Sequence, residues 1–169
     1  ARVFDELLNL RATEMRNSAS VLSRDFGFRA AVATEDGQTI DSALASLKAR
    51  SKSEAAFVVG LDGSLLGSGD ARIPNPETLW YPLDAGEDKG IIRLGDRLAL
   101  AAAARIEAPD LIGWLVLAQP LDRNQLDQIA DLAAVDVQAR VERSGSLPDW
   151  LQQVRDGKVL EHTDAERSL

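Results

Sequence analysis

The sequence predicts an α+β domain, and three observations carry that expectation. Apolar side chains recur at helical spacing through residues 2–50 and at strand spacing through residues 55–119, and Asp-Gly, Gly-Asp and Pro-Asp pairs punctuate the second stretch. Helices first and hairpins afterwards is the order of an α+β chain, not of an alternating one. With 169 residues and 45% apolar side chains the chain can bury a core without staples. It has no Cys, which excludes disulfides and thiolate metal sites. The 27 acidic and 19 basic side chains give a net charge of -8, which repels phosphate backbones and anionic lipid surfaces, so nucleic acid is not an expected partner. Apolar runs such as Leu98–Ala104 and Leu111–Ala118 are far shorter than the roughly 20 residues a bilayer crossing needs. The chain opens on Ala with an amphipathic pattern already under way and no visible signal peptide, so it reads as a piece cut from something longer.

Residues 2–25 read as one helix, with Val3, Phe4, Leu7, Leu8, Leu10, Met15, Ala19, Leu22 and the flanking Phe26 on one face. Asn17, Ser18 and Ser20 interrupt that stripe, which argues against a long coiled coil but leaves room for a limited helix-to-helix seam. A short second helix is expected over Phe28–Thr34, a turn at Asp36-Gly37, and a third helix over Thr39–Arg50 with Ile40, Ala43, Leu44 and Leu47 inward. Ala55–Val59 then reads as a strand joined by Asp62-Gly63 to Leu65-Leu66, because both central residues of a tight hairpin turn need positive φ and Asp and Gly tolerate it. Residues 67–90 carry several Gly and Pro and form a long connection holding a short segment at Thr78–Tyr81. Strands follow at Ile91–Leu94, Arg97–Ile106 and Leu111–Gln119, completing an antiparallel sheet of four or five strands. A helix over Asn124–Ala133 capped by Asp122, a strand over Val135–Glu142 and a last helix opened by Ser146 and Pro148 close the chain. Three regions result: a helical region at 1–52, the sheet at 53–121, and a helix-strand-helix extension at 122–169.

No catalytic set emerges. His162 is the one imidazole and stands in the polar tail without a neighbouring metal ligand, so a Ser-His-Asp arrangement has no base. The acidic loop Asp84, Glu87 and Asp88 lacks the regular ligand spacing of a calcium loop and reads as solvated surface. Gly67 and Gly69 lack the third Gly and the Lys of a phosphate-binding turn. No cofactor and no metal are expected.

The strand Arg97–Ile106 is chemically unusual. Alternation puts Leu98, Leu100, Ala102, Ala104 and Ile106 on one face, and Arg97, Ala99, Ala101, Ala103 and Arg105 on the other. Alanines leave volume over a sheet and Arg forks onto a carboxylate or phosphate, which makes Arg97 and Arg105 candidate contacts for a small anion. The competing reading is a helix packed closely over the alanines with both Arg tips in solvent. Trp80 and Tyr81, in the long connection, are either a lid on such a pocket or a plug at the core edge. Trp114 reads as core, and Trp150 as the anchor of the last helix.

The hairpin FVVGLDGSLLGSG, preceded by LSRDFGFRAAVATEDGQTIDSALASLKAR and followed by LIGWLVLAQPLDRNQLDQIADLAAVDVQAR, resembles the Cache family of extracytoplasmic sensor domains. It is similar in particular to the double Cache, PAS-like type that precedes GGDEF and EAL signalling domains, over most of residues 10–140. The resemblance implies a PAS-like antiparallel sheet behind a long N-terminal helix that leaves one membrane span, and a chain that returns to a second span. It implies the periplasmic part of an inner-membrane protein whose cytoplasmic output makes or degrades cyclic di-GMP. The region itself is then a non-enzymatic sensor of a small-molecule ligand, and it pairs in a homodimer through the first helix. Asp62 and Gly63 match the family's hairpin turn, a structural position. The family's amino-acid recognition pattern has no counterpart here, so no binding residue is carried over. The residues after Leu121 are too few for a full second Cache module, which is reduced or cut off. The rival expectation is a periplasmic protein-interaction module without a small-molecule ligand, its acidic surface meeting a basic partner.

Overall fold

α1 (Arg2–Leu22) lies along the sheet on a stripe of Leu8, Ala12, Met15 and Ala19, steps of three and four that keep one side inward. The stripe is narrower than the sequence pattern suggests. Leu7, Leu10 and Phe26 are exposed, the first two because they are turned about 100° and 200° from Leu8 around the helix axis. Ala12 and Ala19, both fully buried, let the helix backbone approach the strands closely. The computed structural model describes residues 2–131 except 52, 69–71 and 129, and only the backbone of 2–5.

Asp25 accepts a hydrogen bond from the Phe28 amide at 2.9 Å and so starts α2 (Phe26–Ala33) two residues before the apolar pattern does. Asp36 plays the same part for α3 (Gly37–Ser51), accepting from the Thr39 amide at 3.1 Å and the Thr39 hydroxyl at 2.5 Å. The Asp-Gly pair read as a turn is therefore a helix start, and the left-handed residue is Glu35, at φ 59°. Lys48 and Arg50 end α3, where its dipole favours cations.

The strands are β1 (Ala55–Gly60), β2 (Leu65–Gly67), β3 (Lys89–Leu94), β4 (Arg97–Glu107) and β5 (Leu111–Pro120), with α4 (Glu77–Asp84) between β2 and β3. They form one antiparallel sheet in the order β2-β1-β5-β4-β3. The β1–β2 connection is not the two-residue turn that Asp-Gly signals. It spans Leu61–Ser64, is closed by Gly60 N–H to the Ser64 carbonyl at 2.8 Å, and only Gly63 has positive φ, at 82°. The Asp62 carboxylate instead accepts from the Ser64 hydroxyl at 2.6 Å and the Ser64 amide at 3.0 Å, a side-chain closure that widens the loop.

Each face of the sheet has its own core. Ala56, Val58, Leu115, Leu117 and Ile106 meet Phe28, Val32, Ile40, Leu44 and Leu47 from α2 and α3, and Leu100 and Ile91 meet Leu8 and Ala12. On the other face Phe57, Val59, Ala99, Ala101, Ala103, Trp114 and Val116 meet Leu79 of α4. Beyond β5, Asp122 and Gln125 cap each other's amides at 2.7 and 2.9 Å and open a helix at 123. The expected strand over 135–142, the last helix, Trp150 and His162 lie outside the described residues.

Candidate functional site

β4 is touched from both sides, by α4 over its alanines and by α1 beneath Leu100. Its alternation is as read: Ala99, Ala101 and Ala103 stand on the α4 face. α4 lies over them through Leu79 and the partly buried Leu83, yet a recess of about 50 Å³ remains, open to solvent, floored by Ile92, Ala101, Ala103 and Val116 and rimmed by Glu87, Asp88 and Lys89. That volume holds a water or one or two methyl groups, far below the roughly 300 Å³ of the smallest ordinary ligand pocket. The roof carries Pro82, which brings no amide to the helix.

Trp80 packs at the margin of the same core, its indole N–H buried without an acceptor. A Cβ on Gly63 would come within 3.4 Å of Trp80 Cβ, so α4 begins against the β1–β2 loop. The Trp80 ring meets Tyr81 edge-on, centroids 5.0 Å apart, and Tyr81 is 75% exposed. Trp114 is core, at 4% exposure.

Arg97 and Arg105 are both exposed, at opposite ends of β4. Eight residues of strand separate them by about 26 Å, so one small anion does not span both. Arg97 pairs across to Leu94 beside the β3–β4 turn. The Arg105 guanidinium is 3.1 Å from the Glu107 carboxylate. The structure thus brings Trp80 and Tyr81 together and leaves Arg97 and Arg105 apart.

Around Arg105 lies a second feature, an open cleft of about 600 Å³ that sequence reasoning missed. Four guanidinium groups border it: Arg16 and Arg24 from the α1 end, Arg29 from α2, and Arg105. Asp84 at the end of α4, with Glu87 and Asp88 of the α4–β3 connection, forms the opposite lip. Arg16 bonds Asp88 across it at 3.4 Å. In sequence Arg16 and Arg24 look like the solvated side of a helix, and only the fold joins them to Arg105 of β4. Among the described residues no group of three His or carboxylate side chains is placed to hold a metal ion.

The sequence matches no family model and no curated protein. A solved structure does share the fold. The periplasmic domain of Vibrio cholerae LuxQ superposes with a TM-score of 0.58 at 14% identity, over 77% of this chain and 67% of that one. The E. coli DcuS sensor domain gives 0.47 at 18% identity, over 74% and 98% of the two chains. The ligand-binding domain of the Pseudomonas aeruginosa amino-acid chemoreceptor PctB, in complex with L-Gln, gives 0.42 at 14%, over 78% and 52%. The chain has the α+β fold of PAS-like sensor domains, a leading helix and a five-stranded antiparallel sheet.

Proposed function

We propose that this chain is the extracytoplasmic ligand-sensing region of a membrane-anchored bacterial signalling protein, and that its output makes or degrades cyclic di-GMP. The observation that carries the sensor reading is the sandwich around β4: α4 over a face of alanines with a residual recess, and the long α1 against the opposite face of the same strand. The fold shared with the LuxQ periplasmic domain supports an extracytoplasmic place. The cyclic di-GMP output rests on the resemblance to Cache sensors that precede GGDEF and EAL domains. The region acts by shape and not by chemistry.

A ligand enters by displacing α4, because the recess as it stands is too small. The ligand is a small carboxylate or related anion. Trp80 and Tyr81 on the roof and Arg105 at the open end are its contacts, and Arg97 serves as a separate anion contact at the far end of β4. The state with α4 displaced is then selected by binding, and β4 passes the change to α1. A homodimer through α1 carries it onward.

A thermal shift series with succinate, citrate and the common amino acids tests this. At a hundred times its Kd a ligand stabilises by about 2.7 kcal/mol, which raises the melting midpoint by roughly 5–10 °C. The increase shrinks in Tyr81→Ala and Arg105→Ala, whose exposed side chains leave the core untouched. If no compound stabilises the domain and a basic periplasmic protein does, the chain is an interaction module instead.

A further inference from the structure

We infer that the open edge of β4 in this cleft binds a short peptide with free ends, which joins the sheet as a strand parallel to β4. β3 begins opposite Ala102, and the Asp88 carbonyl just before it accepts from the Ala103 amide at 2.8 Å. In an antiparallel ladder the main-chain groups of alternate residues turn to the same side. Ala103 bonds away from β5, so Arg105 also turns its N–H and C=O away from β5, to the side where β3 has ended. Among the described residues neither group has a hydrogen-bond partner. The next partner along that edge is Arg29, whose Nη1 donates to the Glu107 carbonyl at 3.3 Å. From Ala103 to Glu107 the edge therefore runs about 13 Å with no strand beside it. The cleft touches Ala103 and Arg105 on one face of β4 and Ala104 on the other, which places it across that edge and not over a face. Gly86, at φ 90° and bonded through its amide to the Leu83 carbonyl, turns the preceding chain back to α4, and a Cβ there would meet nothing within 4 Å. A bare edge of paired donors and acceptors is what an extended peptide completes.

The charges set which way the peptide runs. At the Ala103 end stand Asp88 and, at the close of α4, Asp84, which is exposed and has no ion-pair partner among the described residues. α1 carries the chain from Arg16, bonded to Asp88 at 3.4 Å, toward Arg24, which shortly precedes Arg29 and so falls near the Glu107 end. Arg24 too is exposed and without an ion-pair partner among the described residues, whereas Arg16 is taken by Asp88 and Arg105 by Glu107. An ammonium thus belongs at the Ala103 end and a carboxylate at the Glu107 end, and a peptide so placed is parallel to β4. In parallel pairing the Arg105 N–H donates to the carbonyl of the first peptide residue, and the Arg105 carbonyl accepts from the amide of the third. Three residues suffice, span about 10 Å and fit a cleft of about 600 Å³. The edge site goes beyond the sensor reading, because its contacts are main chain and α4 stays in place. The cleft and the recess under α4 share Leu83, Glu87, Asp88 and Ala103, so the peptide's own amides, and not a variant of either lining, tell the two apart.

Calorimetric titration of the whole chain with trialanine, free alanine, and trialanine N-methylated at its second or its third residue tests this. Trialanine binds at least about tenfold more tightly than alanine, which carries both charges but no peptide bond. Methylating the third amide removes the donor to the Arg105 carbonyl and weakens binding at least about tenfold. Methylating the second, which faces away from β4, changes it less than about threefold. Arg24→Ala and Asp84→Asn, both at exposed positions, each weaken trialanine several-fold. In the unaltered protein the Arg105 amide resonance moves on titration, a readout that does not depend on any variant folding. The assignment is overturned by an unmoved Arg105 resonance, by no trialanine binding, by alanine binding as tightly, by a harmless third methyl group, or by loss confined to the second. If no peptide binds while a carboxylate of the thermal shift series still raises the melting midpoint, the edge pairing fails and the sensor proposal stands.

Discussion

Replacing Ala101 by Val probes the space between β4 and α4. Ala101 is 4% exposed and bounds a recess of about 50 Å³. At about 24 cal/mol per Å³ an enclosed space of this size returns at most about 1.2 kcal/mol on filling, and because the recess opens to solvent the return is smaller. The expected gain is therefore up to about 1 kcal/mol, or a rise of roughly 2–4 °C in the melting midpoint. Ala99 is the internal control. It stands on the same face, is fully buried and does not border the recess, so Ala99→Val meets packed atoms and costs about 1–3 kcal/mol. Urea unfolding followed by circular dichroism measures both. Any ligand that enters under α4 also stabilises Ala101→Val less than the parent, because the side chain competes for the same space. A loss of more than about 1 kcal/mol in Ala101→Val, equal to that in Ala99→Val, would refute the reasoning, since it means no usable space lies beneath the roof.

Gly67→Ala is expected to lose about 1–3 kcal/mol in the same urea assay, because the added Cβ runs into the Ile40 side chain of α3 and reaches within 3.2 Å of the Asp41 carboxylate. An unchanged midpoint would show that α3 gives way there. Two exposed carboxylates titrate below the usual 3.8: Asp36, held ionised first by the Thr39 hydroxyl and then by its amide, and Asp62, held first by the Ser64 hydroxyl and then by its amide. A lowered folded value means the stabilisation is present above 3.8 and is lost as the pH falls through each group's folded value. Carboxyl carbon NMR gives both midpoints, and Thr39→Val and Ser64→Ala move them back toward 3.8. Midpoints that ignore these substitutions would mean the hydroxyls do not set them.

Much of the sheet was legible because period-two alternation survives in β4 and because Gly95 and the Pro109-Asp110 pair mark the ends of its hairpins. Trp114 was legible as core because an aromatic ring inside an apolar strand carries much of a small domain's burial. The helix starts were less so. Asp25 and Asp36 cap through side-chain oxygens, and an Asp-Gly pair has one spelling for a helix start and for a hairpin turn. α4 was visible only as Thr78–Tyr81, since Pro76 and Pro82 flank its apolar residues and hide an eight-residue helix. Leu7 and Leu10 misled because several apolar residues near a helix start fit more than one stripe, and contact with Leu100 and Ile91 decides for Leu8. The candidate lid of Trp80 and Tyr81 could be read from ring chemistry. The arginine cleft could not, because Arg29 and the Glu107 carbonyl are 78 positions apart and only the bend of the chain around β4 joins them.

The central claim is that α4, β4 and α1 respond together to a small carboxylate. Amide hydrogen exchange of the whole chain, with and without a carboxylate that raises its melting midpoint, tests it most directly. Linked changes in protection at residues 77–84 and 8–22, on opposite faces of β4, are the predicted result. Saturation with such a compound while one of the two segments keeps its exchange rates would contradict the account.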